Sequence, residues 1–352
     1  MRGLGEALWF SIPYRCNTEM CKHAVPASVS GFLLFVASTT VCAQQDLLCE
    51  SHFVRFEQLD DDTFTPPERD DQGVLRHNVR SRLQTGETEI RVLLPDGVVQ
   101  KTNGGTGQRQ HPVIYVLPVE RQGDARYGDG LEEVRKLDLH NKHRAIFIAP
   151  SFSALPWYAD HPRDASLRQE SYIVDVVVPF VERTYPAQAE PQGRLLLGFS
   201  KSGWGAWSLL LRHRDLFGRA AAWDAPLAMQ QSGKYGSGPI FGTQQNFEQY
   251  RITDLLRSQA DALRVRPEQH VEPRLILMGY GNFSGDHKQV HELLDMLDVS
   301  HVYRDGPRRK HDWHSGWVAE AVELLGRSNP PLVVGDALIH DAHGSQLGGV
   351  LA

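Results

Sequence analysis

The stretch Arg194–Trp207, RLLLGFSKSGWGAW, constrains this chain more than any other. Apolar Leu195–Leu197 run into Gly198-Phe199-Ser200-Lys201-Ser202-Gly203, after which Ala206, Leu209 and Leu210 recur at helical spacing. The pattern predicts a buried strand, a sharp turn and a helix. A serine at the tip of such a turn is lifted clear of the sheet in a strained backbone conformation. Its neighbours must therefore be small. Gly198 stands two residues before Ser200 and Ser202 two residues after, where the usual pattern has a second Gly.

Similar units surround this one. Pro112–Leu117 (PVIYVL), Ala145–Ala149 (AIFIA), Ala220–Trp223, Leu275–Met278 and His301–Tyr303 read as short buried strands. Between them lie helical patterns at Leu131–Leu139, at Ile173, Val176, Val177, Phe180 and Val181, at Val290–Leu297 and near Trp317–Leu325. Pro179 inside the second of these predicts a kink. Val74–Gln84 and Glu87–Pro95, joined by Thr85-Gly86, read as a hairpin. Gln230–Gln249 is Gly-rich and irregular, a loop or small cap. Buried strands alternating with amphipathic helices imply an α/β fold, a mostly parallel central sheet with helices on both faces. Such folds place their sites at the carboxyl ends of the strands.

The 352 residues carry a formal net charge of -6, so no basic face for nucleic acid is expected. Near the amino terminus, Lys22, the apolar Ser28–Val41 and Cys42-Ala43 follow the order of an export signal, with Met20 as an alternative start. The expected division is a signal peptide at 1–43, an N-terminal arm with the first strands at 44–89, a catalytic domain at 90–327 and a tail at 328–352. The mature protein is then exported, periplasmic or extracellular, with no stable membrane span. Cys16, Cys21, Cys42 and Cys49 all precede residue 50, so cleavage leaves one cysteine and no cysteine metal site.

A serine hydroxyl needs a histidine base, and that histidine needs a carboxylate to hold its tautomer. In this fold the chain order is serine, acid, histidine. The loop before the last helix reads Lys310-His311-Asp312-Trp313-His314, with His311 the first candidate base and His314 the second. After Leu275–Met278 comes Gly279-Tyr280-Gly281-Asn282-Phe283-Ser284-Gly285-Asp286. Asn282 stands where an Asp is commonest. Asp286 is the nearest carboxylate and the expected acid, with Asp224 at the end of the preceding strand as the alternative. The oxyanion donors are expected to be the backbone N–H groups of Lys201 and Glu120. A Glu side chain beside a developing oxyanion opposes it unless it points away. Arg308, Arg309 and Lys310 read as a solvated basic run.

With these residues in view, the chain resembles the esterase D-like family of α/β-hydrolases. That family includes S-formylglutathione hydrolases, feruloyl and acetyl xylan esterases, enterochelin esterases and mycolyltransferases. The resemblance spans about Ile90 to Leu325. It is carried by Arg91–Asp96, Pro112–Leu117, Ala149–Pro162, Gly198–Phe217 and Gly306–Trp313. It implies Ser200 as nucleophile, His311 as base and Asp286 as acid, with no metal or organic cofactor. The implied substrate is a small-molecule or carbohydrate ester, such as an acylated polysaccharide. Acyl transfer on the same residues is a second expectation. A non-catalytic binding protein on this scaffold is a third, motivated by Asn282 and by Pro118-Val119 in place of His-Gly.

Overall fold

The computed structural model describes residues 62–101, 109–264, 272–279 and 281–327. The export-signal region, the four cysteines, the start of the N-terminal arm and the tail from 328 lie outside the described residues.

Among the described residues ten strands form one sheet: β1 Thr63–Phe64, β2 Glu68–Arg69, β3 Leu75–Arg80, β4 Glu87–Leu93, β5 Val113–Val116, β6 Ile146–Pro150, β7 Arg194–Phe199, β8 Arg219–Trp223, β9 Leu275–Met278 and β10 His301–Arg304. Their spatial order is β1-β3-β4-β6-β5-β7-β8-β9-β10, with β2 paired to β3. The expected hairpin is β3–β4, closed between Arg80 and Glu87. β4 then pairs antiparallel with β6. From β6 to β10 every pairing is parallel. A division between residues 89 and 90 would cut β4, so the first strands are part of the same sheet.

The alternation of side chains along these strands explains the layers. Val113 and Tyr115 face one apolar layer, while Ile114 and Val116 face the other. Leu275 and Leu277 likewise oppose Ile276 and Met278. Successive side chains point to opposite faces, so a strand apolar at every position needs cover on both sides. The helices supply it: α1 Gly130–Lys136, α2 Val178–Thr184, α3 Ser200–Arg212, α4 Ile252–Leu263, α5 Ser284–Met296 and α6 Val318–Gly326. Among the described residues no helix is long and apolar enough to cross a membrane.

Where a kink is expected at Pro179, a π-helical segment, Tyr172–Val177, runs into the first turn of α2, which holds the Pro. Pro lacks an N–H, and in the first turn of a helix that donor has no intrahelical partner, so Pro is tolerated there. Gln230–Gln249 is partly helical, with short turns at Gly238–Phe241 and Gln244–Glu248.

Candidate active site

The serine turn forms as the sequence predicts. β7 ends at Phe199, α3 begins at Ser200, and Ser200 holds φ +52. That left-handed conformation costs a non-glycine residue on the order of 1 kcal/mol, and it is tolerated because the surroundings fix it. A Cβ on Gly198 would lie 2.3 Å from the Ser202 carbonyl oxygen, so only glycine fits there. Ser202 does more than fill a small position. Its hydroxyl accepts from the Phe199 N–H at 3.1 Å and donates to the Phe199 carbonyl at 2.9 Å, pinning the turn from within the helix.

The strand ends around Ser200 are tied together by backbone bonds. The Ser200 N–H donates to the Asp224 carbonyl at 3.2 Å, the Asp224 N–H to Met278 at 2.9 Å, and the Gly279 N–H to Arg304 at 2.9 Å. The ends of β7, β8, β9 and β10 thus form one rim. Ser200, Lys201, Glu120, Asn282, Phe283 and His311 all line a cleft of about 820 Å³ on that rim.

His311 Nδ1 lies 2.6 Å from Asp224 Oδ2. An ionised carboxylate only accepts, so Nδ1 carries the proton and Nε2 is left with its lone pair, as a base requires. The ring is held edge-on by Phe199 at 5.0 Å and Tyr127 at 5.5 Å. Asp224 is fully buried. Burial pushes its carboxyl up, but hydrogen bonds from His311 and from the Phe283 and Asn282 N–H groups outweigh this and hold it below its ordinary value. Those backbone donors reach it at 2.6 and 2.8 Å.

Asp224, not Asp286, is therefore the carboxylate on His311. Asp286 sits in the first turn of α5, where its Oδ2 accepts from the Ala228 N–H at 3.1 Å. Burial raises its carboxyl above the usual range, with the Asp224 charge adding to the effect. Asn282 is not a substitute acid. Its backbone N–H donates to Asp224, and its neighbour Gly281 leaves room for the carboxylate, since a Cβ there would lie 2.0 Å from Asp224 Oδ2. His314 is also set aside as a base. Its Nδ1 donates to Glu133 at 2.9 Å and its Nε2 accepts from the Asp129 N–H at 3.4 Å, tying it to the start of α1. Arg308 and Lys310 are exposed, and Arg309 donates to the Ser315 carbonyl at 3.1 Å.

Two further residues support this geometry. His287 is fully buried, and its Nε2 accepts from the Ala225 N–H at 2.8 Å, fixing the backbone next to Asp224. Burial pushes its imidazole down to about 4, so it stays neutral and able to accept. Tyr158 donates to the Pro118 carbonyl at 2.6 Å, and its ring fills the space where a Cβ on Gly205 would stand. It clamps the loop after β5 to α3. Trp157 and Trp204 are fully buried packing residues, and Trp313 packs on Phe199 and Trp317 beneath the His311 loop.

The oxyanion side has an unexpected arrangement. Lys201 Nζ lies 3.0 Å from Glu120 Oε1, with both side chains nearly covered, at 12% and 10% exposure. The Glu120 charge that would oppose an oxyanion is thereby compensated by the residue next to the nucleophile. Lys201 also sits in the first turn of α3, whose N–H groups have no intrahelical partners. Lys201→Met should lower kcat by about tenfold or more, because it leaves Glu120 as an unpaired anion beside the site. Adding Glu120→Gln should restore most of the loss. Steady-state kinetics on the two single variants and the double variant measure this, and additive losses would contradict it.

By fold the molecule is an α/β-hydrolase, with Ser200, His311 and Asp224 together at the rim of its sheet. Residues 154–267 match the family described as "Putative esterase". This bears out the esterase D-like resemblance, and the chain is a carboxylic ester hydrolase by class. No curated protein matches it. Among solved structures, the S-formylglutathione hydrolase of Agrobacterium tumefaciens is similar at 14% identity, with a TM-score of 0.58 over 76% of this chain and 99% of that one. Fluorophosphonate-binding serine hydrolase F of Staphylococcus aureus is similar at 16% identity, with a TM-score of 0.57 over 74% of this chain and 99% of that one. A ferulic acid esterase is similar at 17% identity, with a TM-score of 0.55 over 72% and 97%. At such identities these likenesses speak to the fold.

Proposed function

We propose that the protein is an exported serine esterase that removes acyl groups from carbohydrate esters. The carrying observation is the mixed lining of the cleft beside Ser200. Leu155, Pro239, Ile240 and Phe283 contribute apolar surface for an acyl or aromatic acid group. Arg121, Asp124 and Arg126 contribute polar groups suited to a hydroxyl-rich alcohol. A volume of about 820 Å³ falls in the range that admits a compound of this size.

In the proposed reaction Ser200 Oγ attacks the ester carbonyl and His311 Nε2 takes the hydroxyl proton. The Lys201 and Glu120 N–H groups receive the oxyanion. The tetrahedral species collapses to an acyl-enzyme as His311 returns the proton to the departing alcohol. Water then attacks, with His311 again the base, and the free acid leaves. Asp224 holds the imidazole in the required tautomer throughout. Export rests on Lys22, the apolar Ser28–Val41 run and Ala43.

The test is a fluorophosphonate probe on purified protein, followed by peptide mass mapping and an ester panel. The expected results are an adduct on Ser200 and faster acid release from acetylated or feruloylated oligosaccharides than from a simple aryl ester. A folded protein that takes no label would overturn the enzymatic reading in favour of a binding protein. Preference for the aryl ester would remove the carbohydrate.

A further inference from the structure

Far along the chain from the nucleophile, three side chains converge at the edge of the sheet. His291 and Asp295 are one helical turn apart on α5, and His301 opens the edge strand β10. One ligand atom from each, a ring nitrogen or a carboxylate oxygen, lies within 4.8 Å of the other two. We propose that His291, Asp295 and His301 form a zinc site that latches α5 to β10.

The chemistry of the donors carries this. His301 Nδ1 lies 2.9 Å from the Val299 carbonyl, which only accepts. Nδ1 therefore holds the proton, and Nε2 presents its lone pair to the cluster. That is how a metal-ligating histidine is usually oriented, with its second nitrogen donating to a carbonyl or carboxylate. The His291 ring is fixed by stacking on Tyr303 at 4.1 Å between centroids. Its Nδ1 lies 2.7 Å from His301 Nε2. Asp295 reaches both rings, at 3.5 Å from His291 Nε2 and 3.9 Å from His301 Nε2.

Two imidazoles and one carboxylate suit Zn²⁺, with water completing a tetrahedron. Zinc–nitrogen bonds of about 2.0–2.1 Å put two tetrahedral nitrogens about 3.3 Å apart, so the two rings must separate by roughly half an ångström. The His291 and Asp295 side chains are 30% and 61% exposed, which leaves them room to adjust, while the buried His301 stays as the anchor. The ion would displace the proton now shared between the two rings. It would also secure the outermost strand, which among the described residues has a neighbour on one side only.

The test is calorimetric titration of the untagged full chain with Zn²⁺, paired with thermal unfolding. The expected result is one equivalent bound with micromolar affinity and a rise in Tm. His291→Asn and Asp295→Asn should each weaken binding at least about tenfold and abolish the rise, as loss of a ligand requires. Both positions are exposed enough to keep the variants folded, and ester hydrolysis should persist in both. Co²⁺ substitution should give tetrahedral d–d bands in the wild type and not in the variants. No zinc binding by the wild type, or equal binding by wild type and both variants, would overturn the proposal.

Discussion

Ser200→Ala is expected to lower kcat/KM for any ester the protein cleaves by about 10⁵-fold. The substitution keeps the Cβ at φ +52 and leaves the Ser202 bonds to Phe199 intact, so the turn should fold unchanged. Only the nucleophilic oxygen is lost. The residual rate would come from substrate binding and the oxyanion donors. The same variant should take no fluorophosphonate label, and its unfolding midpoint should match the wild type. Full activity in Ser200→Ala would remove the covalent mechanism altogether.

Asp224→Asn should be nearly as damaging, at about 10⁴-fold in kcat, with little change in KM. An amide at this position can offer its NH₂ to His311 Nδ1. That would stabilise the tautomer with its proton on Nε2, which cannot take a proton from serine. The amide also cannot stabilise the imidazolium. Asp286→Asn should cost less than about tenfold, because Asp286 holds the Ala228 N–H rather than the histidine. Steady-state kinetics on the two variants decide between the carboxylates. Equal losses, or a larger one for Asp286→Asn, would contradict the arrangement seen here.

These expectations mark where the sequence was legible and where it was not. Ser200 was readable because its turn is built from local requirements: an apolar strand, small neighbours and a helical pattern, all within fourteen residues. His311 was readable because it falls in the loop after the last strand, next to Trp313, whose packing on Phe199 and Trp317 supports that loop. The choice of acid was different. Asp224 and Asp286 both follow strands that end at the rim, and both are partners that a histidine accepts. Nothing in their local sequence separates them.

The clamp residues were less visible still. His287 reads as one more histidine on a helix, and only its burial shows that it holds the Ala225 N–H. Glu120 reads as an obstacle to catalysis until its ion pair with Lys201 is seen across 81 positions of chain. Tyr158 reads as an aromatic residue with no assigned partner, yet its hydroxyl supports the Pro118 carbonyl.

The sequence by itself determined the two-faced apolar strands, the helices that cover them and the strained serine turn, because each depends on periodicity and steric limits that act within a short span. The tertiary structure alone decided which carboxylate meets His311. That outcome depends on how close the end of β8 comes to the loop after β9, where Gly281 has no Cβ to block Asp224 and the Asn282 and Phe283 N–H groups close over its oxygens. Contacts of that kind are set by the packing of strands that are far apart in the chain.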